Sequence, residues 1–305
     1  MDADKFIVKF WGARGGYPTP GPMTVKYGGN TTCIEVKAGK HQIIIDGGTG
    51  LIGLGREMMA EHHATGKPIK ATILLTHTHH DHTQGFPFFV PARYPKSRLE
   101  IFGPKLLTED LEDALDRIMQ PPVFPIGPEE LYSQRRIENT RHGDTIVLNS
   151  PEQPATIYEL GDDIGSIPED AVIIKVNHGY HHPKNGIHLF RICYKDRSVV
   201  IATDTEGYIG GDKRLIEFSQ GTDLLIHDAE YDEHEYADDV IVRQGWGHST
   251  WRMAAGVAQV AEVKRLALTH HSPNHDDAYL EDMLRKTQAL FPNTFLAQEG
   301  IPIEL

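Results

Sequence analysis

The sequence predicts an α/β fold in which two β-sheets pack face to face and helices cover their outer surfaces. Three observations predict it. Short β-branched runs bounded by Gly, Pro, Asn or Asp recur from end to end of the 305 residues. Four helical patterns fall between them in both halves, as layered packing of two sheets requires. No linker-like stretch or internal repeat interrupts the chain, so residues 1–305 read as one domain.

The first run, 5–11, carries alternating Phe, Val and Phe and leads into a Gly- and Pro-dense stretch, 12–29, that reads as a loop over a site or an edge. Strands follow at 32–37 and 42–46, the second an unbroken Ile run ending in Asp46. A helix is predicted over 51–64 and strands over 71–76 and 98–102. The next helix, 106–119, places Leu107, Leu111, Leu115, Ile118 and Met119 on one stripe, with Glu109 and Asp110 where the helix dipole favours acids. A Pro-rich loop, 121–128, comes after it. Strands are then predicted at 145–148, 155–159, 171–177, 187–194, 198–203, 223–227, 265–269 and 294–297. The last helices span 250–262, with Ser249 as N-cap, and 278–290.

Composition narrows the function. Lys and Arg total 30 against 43 Asp and Glu, a formal net charge of −13. Such a chain is a poor generic partner for polyanions, although bound divalent cations can reverse the field locally. Two cysteines exclude a disulfide scaffold and any Cys-rich zinc module. No apolar run reaches the roughly 20 residues of a spanning helix, and the start lacks a signal pattern. These features suggest a cytoplasmic protein without a membrane partner. The anomaly is 18 histidines.

Their positions explain the surplus. An apolar strand, ATILL, runs directly into Thr76-His77-Thr78-His79-His80-Asp81-His82. His77 and His79 are two apart and share one side of an extended strand end, while Asp81 and His82 follow at a turn. Four N and O donors in six residues can serve two metal ions from one loop. His80 is the variable position and points away. His62 and His63 read as solvated, and His271 and His275 as part of a surface loop.

HTHHDH resembles the HxHxDH signature of the metallo-β-lactamase superfamily, and further segments match in order. IIIDGGTG is similar to the first Asp motif, in which Asp46 supports the metal loop. VVIATDTEG resembles the bridging-Asp motif at Asp204, and RLALTHHSP the final-ligand motif at His270. The remaining His ligand precedes a loop and an Arg-bearing strand. His182, with Pro183, Gly186 and Arg191 after it, fits that pattern best; His178 is the alternative, and His188 reads as a strand residue. WGARGGYPTP, YGGNTTCIEV, LLIHDAEY and GWGHSTW are similar to segments of the branch that includes ribonuclease Z.

The resemblance covers almost the whole chain and implies the four-layer αββα sandwich of the family. It implies two divalent metal ions, Zn, Mn or Fe, held by His77, His79, Asp81, His82, His182, Asp204 and His270. It also implies a metal-dependent phosphodiesterase using a metal-bridging hydroxide, with Asp81 in the catalytic group and His248 as general acid. A carboxylate partner for His248 is needed at a helix N-terminus, and Asp228, Glu230 and Glu206 are the candidates. Trp246 is the best base-stacking candidate, and Trp11 reads as core. Arg14 reads equally as a phosphate contact or a turn-stabilising residue.

The branch's transfer-RNA enzymes carry a basic arm that is missing here, and the two cysteines cannot build the extra zinc site of its phosphonate-pathway members. The expected partner is therefore a small phosphodiester, such as a cyclic nucleotide, rather than a large nucleic acid. Dimers are common in the branch. A transfer-RNA 3′-processing endonuclease is the alternative. A non-catalytic metal-binding regulator on the same fold is a third reading.

Overall fold

The computed structural model describes residues 4–105, 109–180, 182, 186–208 and 210–305. In chain order the first strands are β1 (Phe6–Gly12), β2 (Cys33–Ala38), β3 (His41–Ile45), β4 (Lys70–Leu74), β5 (Arg98–Pro104), β6 (Gln134–Thr140), β7 (Thr145–Leu148) and β8 (Thr156–Tyr158). They are followed by β9 (Val172–Gly179), β10 (Ile187–Tyr194), β11 (Arg197–Ala202), β12 (Leu224–Asp228), β13 (Leu266–Thr269), β14 (Thr294–Leu296) and β15 (Pro302–Glu304). The helices are α1 (Gly50–Thr65), α2 (His80–Thr83), α3 (Val90–Arg93), α4 (Leu111–Met119), α5 (Lys213–Ser219), α6 (Glu233–Tyr236), α7 (Trp251–Val260) and α8 (Asp277–Leu290).

One sheet has the order β15-β1-β2-β3-β4-β5-β6 and the other β14-β13-β12-β11-β10-β9-β7-β8. Each is mixed. Strands β1–β3 are antiparallel, but β3 through β6 run parallel. In the second sheet β9–β11 are antiparallel and β11 through β14 parallel. Parallel strands need covered faces, which explains the unbroken apolar runs. Along β3, Ile43 and Ile45 join the core between the sheets with Phe6, Phe10, Phe190 and Ile201. Ile44, between them, points the other way and packs with Leu51, Leu54 and Leu115 of α1 and α4. On the far side, Val200, Leu225 and Leu268 pack with Trp251, Ala254 and Leu280 of α7 and α8. Three apolar interfaces thus separate four layers, the αββα sandwich.

The structure adds elements and moves some boundaries. Strand β6, QRRIENT, has no apolar alternation; it lies at a sheet edge, where Arg136 pairs with Glu100 and Glu138. Strand β15 holds a proline, which an edge tolerates. Helix α5 has only seven residues, too short for a clear period. The described part of the 106–119 helix begins at Leu111, capped by Asp110 in a capping box with Asp113; Leu106 and Leu107 lie outside the described residues. The N-cap of α7 is Thr250, which accepts from the Met253 N–H, and not Ser249. The Ser249 hydroxyl instead donates to the Thr205 carbonyl at 2.5 Å. Among the described residues, no helix is long and apolar enough to cross a membrane.

Candidate metal centre

The chemistry gathers where strands of both sheets end. Asp46 follows β3, His77 and His79 follow β4, Asp204 follows β11, and His270 follows β13. Loops beyond the carboxyl ends of parallel strands are where α/β sheets place ligands. His82 is set by the four-residue α2, and His182 lies beyond β9. Asp46, Asp204 and His270 have φ of 61°, 54° and 58°, the left-handed region that side-chain-bearing residues seldom occupy. Each strand therefore turns sharply on a residue that carries a polar side chain into the site, and backbone strain of this kind clusters at functional sites.

Among the described residues three groups of donors result: two share Asp204, and a third joins Asp228, His248 and His270. His77, His79, His182 and Asp204 bring one N or O atom each within 4.8 Å of one another. Asp81, His82, Asp204 and His270 form the second group under the same limit. Asp204 belongs to both: its Oδ2 is 3.6 Å from His77 Nε2, and its Oδ1 is 3.2 Å from His82 Nε2 and 3.3 Å from His270 Nε2. His182 Nε2 and His79 Nδ1 face each other at 2.9 Å. His178 is in none of these groups; its ring packs against Tyr180 and His188.

The outer nitrogens are tied down. His82 Nδ1 donates to Asp46 at 2.8 Å, His270 Nδ1 to Glu230 at 3.0 Å, and His182 Nδ1 to the Gly247 carbonyl at 3.3 Å. Asp46 also accepts from the Thr76 N–H at 2.8 Å and so braces the start of the metal-type loop. This pattern fixes each ring so that its other nitrogen presents a lone pair inward, as ligating histidines require. Among the described residues, the Nε2 atoms of His77 and His82 are buried with no hydrogen-bond partner. Orphaned inward nitrogens beside shared carboxylates fit divalent cations, and the N/O donor set suits Zn, Mn or Fe without choosing among them.

Electrostatics agree with that fit. Burial pushes the pKa of His77 well below the usual value and that of His182 down to about 4, so both rings are neutral donors. Burial opposes ionisation of Asp81 and Asp204, but the surrounding histidines outweigh it and hold both well below the carboxylate range. His82 and His270 are raised, because carboxylates, Asp204 first, outweigh the desolvation of their rings. The hollow is built for positive charge.

His248 stands at the rim, its ring stacked on His270 with centroids 4.8 Å apart. Its Nδ1 donates to Asp228 Oδ2 at 2.8 Å, and Glu230 lies 3.3 Å away. Burial disfavours the charged ring, but Asp228 and then Glu230 overcome it and raise the pKa to about 9. Asp228 is thus the nearest of the three candidate carboxylates. Glu206 turns elsewhere, to the Gly245 and Gly247 N–H groups.

Some other residues depart from expectation and others meet it. His271 and His275 are buried, not on a surface loop; His271 Nε2 donates to the Ala297 carbonyl, and His275 pairs with Glu235 at 2.9 Å. Arg14 is fully buried and donates to the carbonyls of Gly28 (2.9 Å), Ser272 (3.1 Å) and His275 (2.6 Å). It ties two loops together. Next to it, the Gly16 N–H donates to Asp81 Oδ2 at 2.9 Å. A Cβ on Gly15 would lie 2.2 Å from the His270 ring, so only glycine allows that approach. Of the two readings of Arg14, the turn-stabilising one holds; nothing in the local sequence pointed to Glu206 as an acceptor for the Gly245 and Gly247 N–H groups. His188 lies on β10, His80 and His63 are exposed, and His62 is half-buried with its Nε2 2.9 Å from the Tyr94 hydroxyl. Trp11 is half-buried with its N–H on Glu35, and Trp246 is exposed. Pro183 to Asn185 lie outside the described residues.

A family model described as the β-lactamase superfamily domain matches residues 41–271. A ribonuclease Z of Sulfurisphaera tokodaii is 31% identical over 252 residues, covering 79% of this chain and 82% of that protein. Among solved structures, the metallo-β-lactamase-fold protein YhfI of Bacillus subtilis superposes with a TM-score of 0.65 at 20% identity, over 99% of this chain and 100% of that one. The short form of human tRNase Z gives a TM-score of 0.62 at 24% identity, over 97% and 98% of the two chains.

Proposed function

The chain belongs to the metallo-β-lactamase superfamily, in the branch that includes ribonuclease Z, and from that premise we propose that it is a dinuclear, metal-dependent phosphodiesterase. The observation that carries the reading is the pair of donor groups sharing Asp204, with a carboxylate-anchored His248 beside them. His77, His79 and His182 would hold one ion, and Asp81, His82 and His270 the other, with Asp204 common to both. Ions bound there supply Lewis acidity, neutralising phosphoryl oxygens and lowering the pKa of the attacking water. Asp46, Glu230 and the Gly247 carbonyl keep three of the rings in register. Asp228 holds His248 Nδ1–H, so the ring gives up its Nε2 proton to the oxygen that leaves phosphorus.

The substrate class in this reading is a small phosphodiester such as a cyclic nucleotide. Acidic residues support it: Glu112, Asp113 and Asp116 on α4, and Asp232, Glu233, Glu235, Asp238 and Asp239 in the segment leading to His248. They repel a long polyanion more than a single phosphodiester. The exposed Trp246 offers a face for one base. The second reading, a transfer-RNA 3′-processing endonuclease, rests on the relatives named ribonuclease Z, and it weakens the argument from net charge.

The test is turnover of 3′,5′-cAMP and of a precursor transfer RNA by protein reloaded with Mn or Zn, with His77→Ala as control. Metal-dependent AMP formation with an inert transfer RNA supports the first reading. Cleavage of the precursor with inert cAMP replaces it by the second. Inertness on both, with two metals bound, removes both substrates.

A further inference from the structure

One carboxylate organises the turn that precedes His248. Glu206, buried two residues after Asp204, accepts three hydrogen bonds among the described residues: from the Tyr236 hydroxyl at 2.5 Å and the Gly245 N–H at 2.7 Å, both to Oε1, and from the Gly247 N–H at 3.0 Å to Oε2. Gly245 and Gly247 have φ of 83° and 91°, so their N–H groups can converge on a single anion as other side chains would not permit. The Gly247 carbonyl faces His182 Nδ1, and the next residue is His248. The same turn therefore carries the outer partner of one donor-group histidine and the ring at the rim.

We propose that Glu206 is a positioning residue that sets His248 and His182 together by clamping the Gly245–Gly247 turn. The inference rests on the phosphodiesterase reading. A carboxylate is required for a simple reason: all three neighbours are donors. A glutamine offers one acceptor oxygen and turns its amide hydrogens toward a remaining N–H. Tyr236 extends the clamp to α6, which Asp232 caps and which the Glu235–His275 pair ties to the segment before α8.

The test uses Glu206→Gln, with Tyr236→Phe as a milder variant that removes one donor and touches neither glycine. Two substrates are compared at saturating Mn. In 3′,5′-cAMP the leaving group is a ribose alkoxide, which needs the His248 proton; in bis(p-nitrophenyl) phosphate it is p-nitrophenolate, which does not. Glu206→Gln is expected to lower kcat on cAMP by about 10- to 100-fold with KM nearly constant, and on the p-nitrophenyl ester by less than about 3-fold. Tyr236→Phe should repeat the pattern more weakly. A second readout is metal retention against a chelator, followed by mass spectrometry. Loosening His182 should weaken one of the two ions by about 10-fold.

Equal loss on both esters at saturating metal would overturn the proposal in favour of a merely structural role. Unchanged kinetics and retention would overturn it outright. If Glu206→Gln fails to fold, the substrate pattern of Tyr236→Phe decides. If the wild type turns over neither ester, the phosphodiesterase reading falls, and the retention arm still judges the clamp.

Discussion

Replacing Arg14 by methionine tests whether the N-terminal loop and the donor groups are one mechanical unit. The side chain keeps an unbranched apolar stem, two atoms shorter, and loses the guanidinium. Three carbonyls, half-buried on Gly28 and buried on Ser272 and His275, then lose a charged donor. At about 1.5–3 kcal/mol for each bond to a charged group, the gross loss is about 4.5–9 kcal/mol. Part is returned, because the wild type buries a cation whose nearest carboxylate, Asp277, is 3.9 Å away, and that burial costs several kcal/mol. A net destabilisation of about 3–5 kcal/mol follows, about a fifth or more of the roughly 5–15 kcal/mol stability of an ordinary domain. Urea unfolding of metal-loaded protein measures it. The same variant should weaken metal retention, since Gly16, two residues on, donates to Asp81. A stability loss under about 1 kcal/mol with metals fully retained would refute the reasoning: the loops would then be held by something other than the guanidinium.

Further outcomes follow from the same geometry. His248→Ala should lower kcat on cAMP by about 10²- to 10⁴-fold while both metals stay bound; full activity would remove it as the acid. Asp46→Ala should loosen metal held by His82 without touching a ligand, because His82 Nδ1 and the Thr76 N–H lose their acceptor; chelator competition should show a loss of about 10- to 100-fold in affinity. His188 gives a pH prediction. Burial lowers its pKa to about 4, against about 6.5 unfolded, so between those values the unfolded chain binds the extra proton and stability falls as pH falls. The contribution is roughly 3 kcal/mol, and His188→Gln should flatten the stability slope of the apoprotein between pH 6.5 and 4 by that amount.

The donor groups were readable where ligands are close in sequence. His77, His79, Asp81 and His82 fall within six residues after an apolar strand, and their spacing alone points to metals. Asp204 and His270 stood out because each follows another buried strand, the same local grammar. His182 was harder, since His178 also follows a strand; the pattern after His182 favoured it, and the three-dimensional grouping includes it and leaves His178 out. The partners of Arg14 and Glu206 were opaque, because most are backbone atoms far along the chain: 258 residues away from Arg14 for Ser272 and 41 from Glu206 for Gly247. Backbone partners leave no trace in side-chain spacing. His271 and His275 misled for a related reason: a histidine-rich stretch after a strand reads as solvated, but Arg14 and the Tyr27 ring enclose this one. Among elements, β6 and β15 lacked a period because edge strands are half-solvated.

The left-handed turns at Asp46, Asp204 and His270 set stability and function against each other at single positions. Each forgoes about 1 kcal/mol that a glycine would recover. A library randomised at these three codons and sorted for resistance to unfolding without metal should drift toward glycine and asparagine. Sorted instead for growth that depends on the protein's turnover, it should return aspartate, aspartate and histidine. The distance between those two sorted populations would measure how much conformational comfort this chain gives up to hold its donors in place.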